Sequence, residues 1–215
     1  MPAARVADRF TTLVLVLLFG VGVVYLGEEL LGALARDRSE LPLWRSVLLL
    51  VHLTATLPIL LLPLLQFSAA LRRRRPAWHR VLGRVFLSGS IVAGATAIPL
   101  GITQEGEGRG TPTVLFALLW IVFALVAWRS ARRRAFAIHR QFVARAYAIA
   151  VAFIIIRVLR DTQDTLLPFI TQLPVRDVTR DWLCFVLPLF AVEAWHQWWP
   201  ALRGGPKAAP APRSS

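Results

Sequence analysis

Long runs of Leu, Val, Ile, Ala and Phe alternate along the chain with short clusters of charge. Windows of about twenty apolar residues, enough to cross roughly 30 Å of hydrocarbon as a helix, fall at 11–34, 44–68, 79–101, 112–128, 139–158 and 182–200. None alternates as a barrel strand does, and all exceed the roughly ten residues such a strand uses. Within a bilayer only helices and closed barrels satisfy their own backbone groups. The pattern therefore predicts an all-α, polytopic six-transmembrane-helix bundle over residues 1–202. The Gly-, Pro- and Ala-rich segment 203–215 is expected to be a disordered cytoplasmic tail.

Charge gives this bundle a direction. Arg5 and Arg9, Arg72 to Arg75, Arg129 and Arg132 to Arg134, and Arg203, Lys207 and Arg213 fall on one side of the six windows. On the other side acids offset the arginines: Glu28, Glu29, Asp37 and Glu40, then Glu105 and Glu107, then Asp161, Asp164, Asp177 and Asp181. The positive-inside rule puts the arginine side, and with it both termini, in the cytoplasm. A multi-pass location in the cytoplasmic (inner) membrane is the expectation.

Composition narrows the function classes. A net charge of +13 can signal nucleic-acid binding, but here the basic residues sit in short loops beside apolar spans, and hydrophobic residues make up 56% of the chain. Topology and anionic headgroups account for them, so no nucleic-acid partner is expected. The single Cys184 falls inside the sixth window, which rules out a disulfide framework and a CxxC metal site. The first window is expected to stay attached despite "ALA" at 33–35, because it is long for a signal peptide and two glutamates intervene. There is no GxSxG, no HExxH and no pair of intramembrane carboxylates, so no hydrolase chemistry is indicated.

One arrangement occurs twice. "RRRRPAWHR" at 72–80 and "RSARRRAFAIHR" at 129–140 each run from arginines through a short aromatic linker to His-Arg, and each opens an apolar segment. If the segments align, the second and third helices form one hairpin and the fourth and fifth another, as in a parallel repeat. At 100° per residue His79 shares a stripe with Gly83, Phe86, Ser90, Ala93 and Ala97, and His139 with Val143, Ala146, Ala150 and Arg157. Small-residue stripes mark helix–helix contacts in membranes, so both histidines are expected to point inward near the cytoplasmic end. Of the other polar groups inside the spans, His52 and Gln66 lie on a polar stripe of the second helix. Arg145 needs a partner at its depth, and Glu193 is the acid at that depth in the sixth. An Arg145–Glu193 ion pair is expected, with Arg145 snorkelling to headgroups as the equal alternative, and His196 lies one turn beyond Glu193 with indoles around it in "WHQWW" at 195–199.

The order "QFSAALRRRRPAWHRVLGRVF" then "WRSARRRAFAIHRQFVARAYAIAVAFIIIR" resembles the bacterial membrane-protein family known as domain of unknown function 2306, over about residues 45–160. The resemblance rests on Gln66, His79, Arg80, Gly83, His139, Arg140, Arg145 and Arg157, with Val143 where the family often carries methionine. It implies a polytopic membrane protein and marks these residues, and it implies no activity.

Several functions suit the constellation. Two inward histidines at one depth on separate helices can ligate the iron of a b-type haem, with Arg80, Arg84, Arg140 or Arg145 on the propionates. Such a protein transfers electrons, with quinone as a conceivable partner. Alternatively, His-Arg at two helix N-termini suits an anion, either a lipid headgroup or a small solute to be bound or transported. A structural or accessory membrane subunit is the third reading, and one metal held by Glu193, His196 and a cytoplasmic-side histidine a fourth.

Overall fold

The structure is a computed structural model and describes residues 13, 16–28, 31–32, 42–104 and 108–203. Among these every regular element is helical, with no strand. In chain order they are α1 (Val16–Glu28), α2 (Leu43–Leu61), the short α3 (Pro63–Gln66) and α4 (Ala69–Arg74), α5 (Pro76–Ile102), α6 (Gly110–Arg132), α7 (Phe136–Leu166) and α8 (Leu173–Glu193). A π-helical turn at Ala194–Trp198 then leads into α9 (Trp199–Arg203). Glu29, Asp37, Glu40, Glu105, Glu107, most of the tail and the first twelve residues lie outside the described residues.

Four helices, α2, α5, α6 and α7, are long and apolar enough to cross a membrane. Two of the six windows take a different form. The window 44–68 is not one helix: α2 stops at Leu61 and the chain turns at Leu62, whose N–H donates to the Pro58 carbonyl at 2.8 Å. Pro63 has no N–H to continue the ladder, so it opens α3 instead. The sixth window begins too late: α7 continues to Leu166 and α8 starts at Leu173. Asp161, Asp164, Asp177 and Asp181 therefore lie on helices rather than in a connecting loop.

Packing follows the chain. α5 lies between α2 and α6, α6 packs on α7, and α7 on α8. The described part of α1 lies along α7, where a side chain at Gly22 would meet Ile154 and the Tyr25 hydroxyl donates to Asp161 at 2.9 Å. The core is built from Ile59, Phe86, Trp120 and Tyr147, with Ser90, Ala93, Ala124, Ala127 and Ala146 fully buried between them. These small residues let the backbones approach closely. Outward, Val85 and Val92 on α5 and Leu115, Val122 and Leu125 on α6 are all at least 40% exposed. A bundle that turns such residues outward is dressed for lipid.

Gly94 marks the tightest α5–α6 contact of the span interior. A Cβ there would sit 2.7 Å from Ile121 Cγ1 and 3.0 Å from the Ala117 carbonyl oxygen. Gly94→Val is expected to destabilise the bundle by about 1–3 kcal/mol through overpacking, read as a lower unfolding midpoint in detergent. Gly20→Ala, at a position with open space around it, is expected to leave the midpoint unchanged.

Candidate functional site

The two His-Arg segments fold alike. Arg75 and Ala135, the residues before α5 and α7, hold ψ of 62° and 67°, outside the helical range. Each supplies the carbonyl for the first helical bond, and the donor is the histidine: His79 N–H to Arg75 at 3.1 Å and His139 N–H to Ala135 at 3.0 Å. Both histidines thus close the first turn of a long helix. The turn that delivers His139 is tight, with Arg134 in the left-handed region at φ 60° and the Ala135 N–H donating to the Ser130 carbonyl at 2.9 Å.

His79 and His139 stand in the first turns of α5 and α7, at the arginine-rich end where Arg72 to Arg75 and Arg132 to Arg134 precede those helices. The His139 ring is set by the Ala127 carbonyl on α6, which accepts from Nδ1 at 2.8 Å. A carbonyl only accepts, so Nδ1 carries a proton, and Nε2 is the nitrogen that offers a lone pair in the neutral ring. The Nδ1 of His79 is buried with no hydrogen-bond partner. Among the described residues no hydrogen bond to Nδ1 fixes that ring's tautomer.

Gln66 supports His79 from behind. Its Nε2 donates to the His79 carbonyl at 3.2 Å, and it does so by lying across Gly83, where a Cβ would come within 2.7 Å of that nitrogen. This is a physical reason for Gly four residues after the histidine. Gln66 is 8% exposed, and its Oε1 is buried with no partner, a costly state for an amide oxygen.

On the adjoining face Arg145 and Glu193 form a two-point ion pair, with Nε donating to Oε1 at 2.6 Å and Nη2 to Oε2 at 3.0 Å. The Arg145 guanidinium also lies 5.0 Å from the centre of the Phe142 ring. His196, in the π turn just after Glu193, feels the charges of Arg145, Glu193 and Arg140. π turns are rare and concentrate where side chains have been re-aimed. Arg80 and Arg140 themselves are exposed at the rim.

Other candidate residues lie apart. His52 joins α2 to α5, its Nδ1–H shared between the Ala93 carbonyl at 3.0 Å and Thr96 Oγ1 at 3.1 Å. That is fourteen to seventeen residues along α5 from His79, roughly 20–25 Å at 1.5 Å per residue. Arg157, over the Phe153 ring at 5.4 Å, is as far again along α7 from His139. The three-ligand metal site is corrected: among the described residues no three His, Cys, Asp or Glu side chains come close enough to hold an ion.

The opposite end holds a network that sequence reasoning missed. Arg180 donates to Asp181 Oδ1 through Nε at 3.1 Å and Nη2 at 2.9 Å, and through Nη1 to Asp177 at 2.8 Å and Gln163 at 3.3 Å. Arg109 adds Asp181 Oδ2 at 3.4 Å. Arg180 and Asp181 are 5% and 3% exposed. The available signal was spacing: Asp177, Arg180, Asp181, Cys184 and Pro188 recur at three- and four-residue intervals and so share one face of α8.

An all-helical bundle of the described residues with apolar outer faces and most of its charge toward its ends defines an integral membrane protein. The chain belongs to the family described as "Predicted membrane protein (DUF2306)", whose model matches residues 49–195 and so takes in both His-Arg turns and Glu193. No curated protein and no solved structure matches the chain.

Proposed function

We propose that the protein crosses the cell membrane six times with both termini in the cytoplasm, and that its arginine-rich end is a bis-histidine site for one b-type haem used in electron transfer. The topology reading is supported by the charge distribution, because Arg72 to Arg75, Arg129 and Arg132 to Arg134 share the end opposite the balanced Arg180–Asp181 network. On this reading the two further crossings are the first window, of which the described part is the shorter apolar helix α1, and the stretch from α8 to α9.

The observation that carries the haem reading is the His79–His139 pair: equivalent first-turn positions on α5 and α7, with the His139 Nδ1–H on a backbone carbonyl. A ligand histidine is held in this way, its other nitrogen on a carbonyl that fixes the tautomer. His79 and His139 would hold the haem iron, with Arg80 or Arg140 toward the propionates, since Arg145 is held by Glu193, and a membrane quinone suits the electron partner. The test is a reduced-minus-oxidised absorption spectrum of protein purified from haem-sufficient cells. A sharp α band at about one haem per chain is the expected result, and a featureless spectrum overturns it.

A second reading has its own observation. Arg72 to Arg75 and Arg80 around the His79 turn are all exposed, and none is in an ion pair among the described residues, a setting that attracts an anionic group. Haem-free protein that binds inorganic phosphate in calorimetry, and loses it on Arg72→Gln with Arg80→Gln, would favour an anion site over haem.

A further inference from the structure

We propose that the lipid-facing seam between α5 and α6 is a binding site for one anionic glycerophospholipid of the leaflet on the arginine-rich side, distinct from the histidine site and independent of what that site holds. A groove of about 340 Å³, open to the side, runs along this seam and is lined by Ser88, Ile91, Val92, Leu125 and Trp128. Val92 and Leu125 are 41% and 52% exposed. The groove is almost wholly apolar and faces the region where acyl chains lie.

The register of the two helices places charge at one end of it. Gly94 meets Ala117 and Ile121, and Gly101 meets Thr113 and Val114, so the helices are antiparallel and moving toward the start of α5 means moving toward the end of α6. Ser88 is therefore level with Leu125, one turn further stand Arg84 on α5 and Arg129 on α6, and Arg132 lies about one turn beyond those. All three arginines are exposed, and none takes part in an ion pair among the described residues. An acyl chain in the groove brings the phosphodiester of its own headgroup to these guanidinium groups, which bind phosphate oxygens two at a time. Charge complementarity joined to an apolar slot selects a lipid over a free anion. The net positive end selects an anionic lipid over a zwitterionic one.

Native mass spectrometry of the delipidated full-length protein tests this, with phosphatidylglycerol and phosphatidylcholine of identical chains added separately. The first phosphatidylglycerol is expected to bind at least tenfold more tightly than phosphatidylcholine. Arg84→Gln with Arg129→Gln is expected to weaken phosphatidylglycerol by roughly thirtyfold, on the basis of about 1 kcal/mol per arginine at the membrane surface, and to weaken phosphatidylcholine, whose phosphate is offset by its choline, by much less. Leu125→Trp, which fills the groove and keeps every arginine, is expected to weaken both lipids. The proposal is overturned if Arg73→Gln with Arg74→Gln, removing equal charge from α4, weakens phosphatidylglycerol as much. It is also overturned if soluble glycerol phosphate binds as tightly as the lipid, or if Leu125→Trp changes nothing.

Discussion

Asp181→Ala is expected to destabilise the protein by roughly 3–5 kcal/mol, the range for removing one partner of a buried charge pair. Asp181 accepts from Arg180 twice and from Arg109 once, and it is 3% exposed. Its loss leaves Arg180, itself 5% exposed, with Asp177 and Gln163 as its remaining partners. The guanidinium cannot shed its proton to escape burial, so the cost falls on the packing of α7 against α8. Asp181→Asn keeps the shape and one acceptor and is expected to cost less than alanine. Unfolding in mixed detergent micelles measures both. A loss under 1 kcal/mol for alanine would mean that water reaches Arg180 and that the network is not buried in the membrane protein as purified.

Glu193→Leu is expected to cost about 2–3 kcal/mol, less than Asp181→Ala because the Glu193 side chain is 34% exposed and solvent screens part of the loss. The Arg145 side chain is only 14% exposed, and an uncompensated arginine at this depth is unfavourable in lipid. The double variant Arg145→Leu with Glu193→Leu is expected to recover most of that loss, since no lone charge then remains. A double-mutant cycle reads the coupling directly. Additive losses would show that the two residues act separately and that Arg145 reaches headgroups instead.

The helical class was legible because a twenty-residue apolar window has few other uses. Where the window was interrupted by chemistry rather than by charge, it misled. Leu62, Leu64 and Leu65 keep 44–68 apolar, yet the missing N–H of Pro63 ends α2 at Leu61. At the other end acids suggested a loop, whereas Asp177 and Asp181 are on α8 beside Arg180 and are buried or half-buried because they are paired. Counting depth along two helices placed Arg145 and Glu193 level, and in the structure their heads meet. The contacts that hold the histidine site were not legible. The acceptor for His139 is a backbone carbonyl, which any residue at 127 would supply, and Gln66 reaches His79 only through the double turn around α3 and α4.

The central claim is that two hairpins converge on one ligand through His79 and His139, and the most direct measurement is the oxidised and dithionite-reduced spectrum of His79→Ala and of His139→Ala beside the unaltered protein. Each single substitution is expected to remove the sharp reduced α band of a bis-histidine haem, while Gly20→Ala, at a site open to solvent or lipid, retains it. An α band that persists unchanged in either histidine variant, or that is absent from the unaltered protein, would contradict the claim.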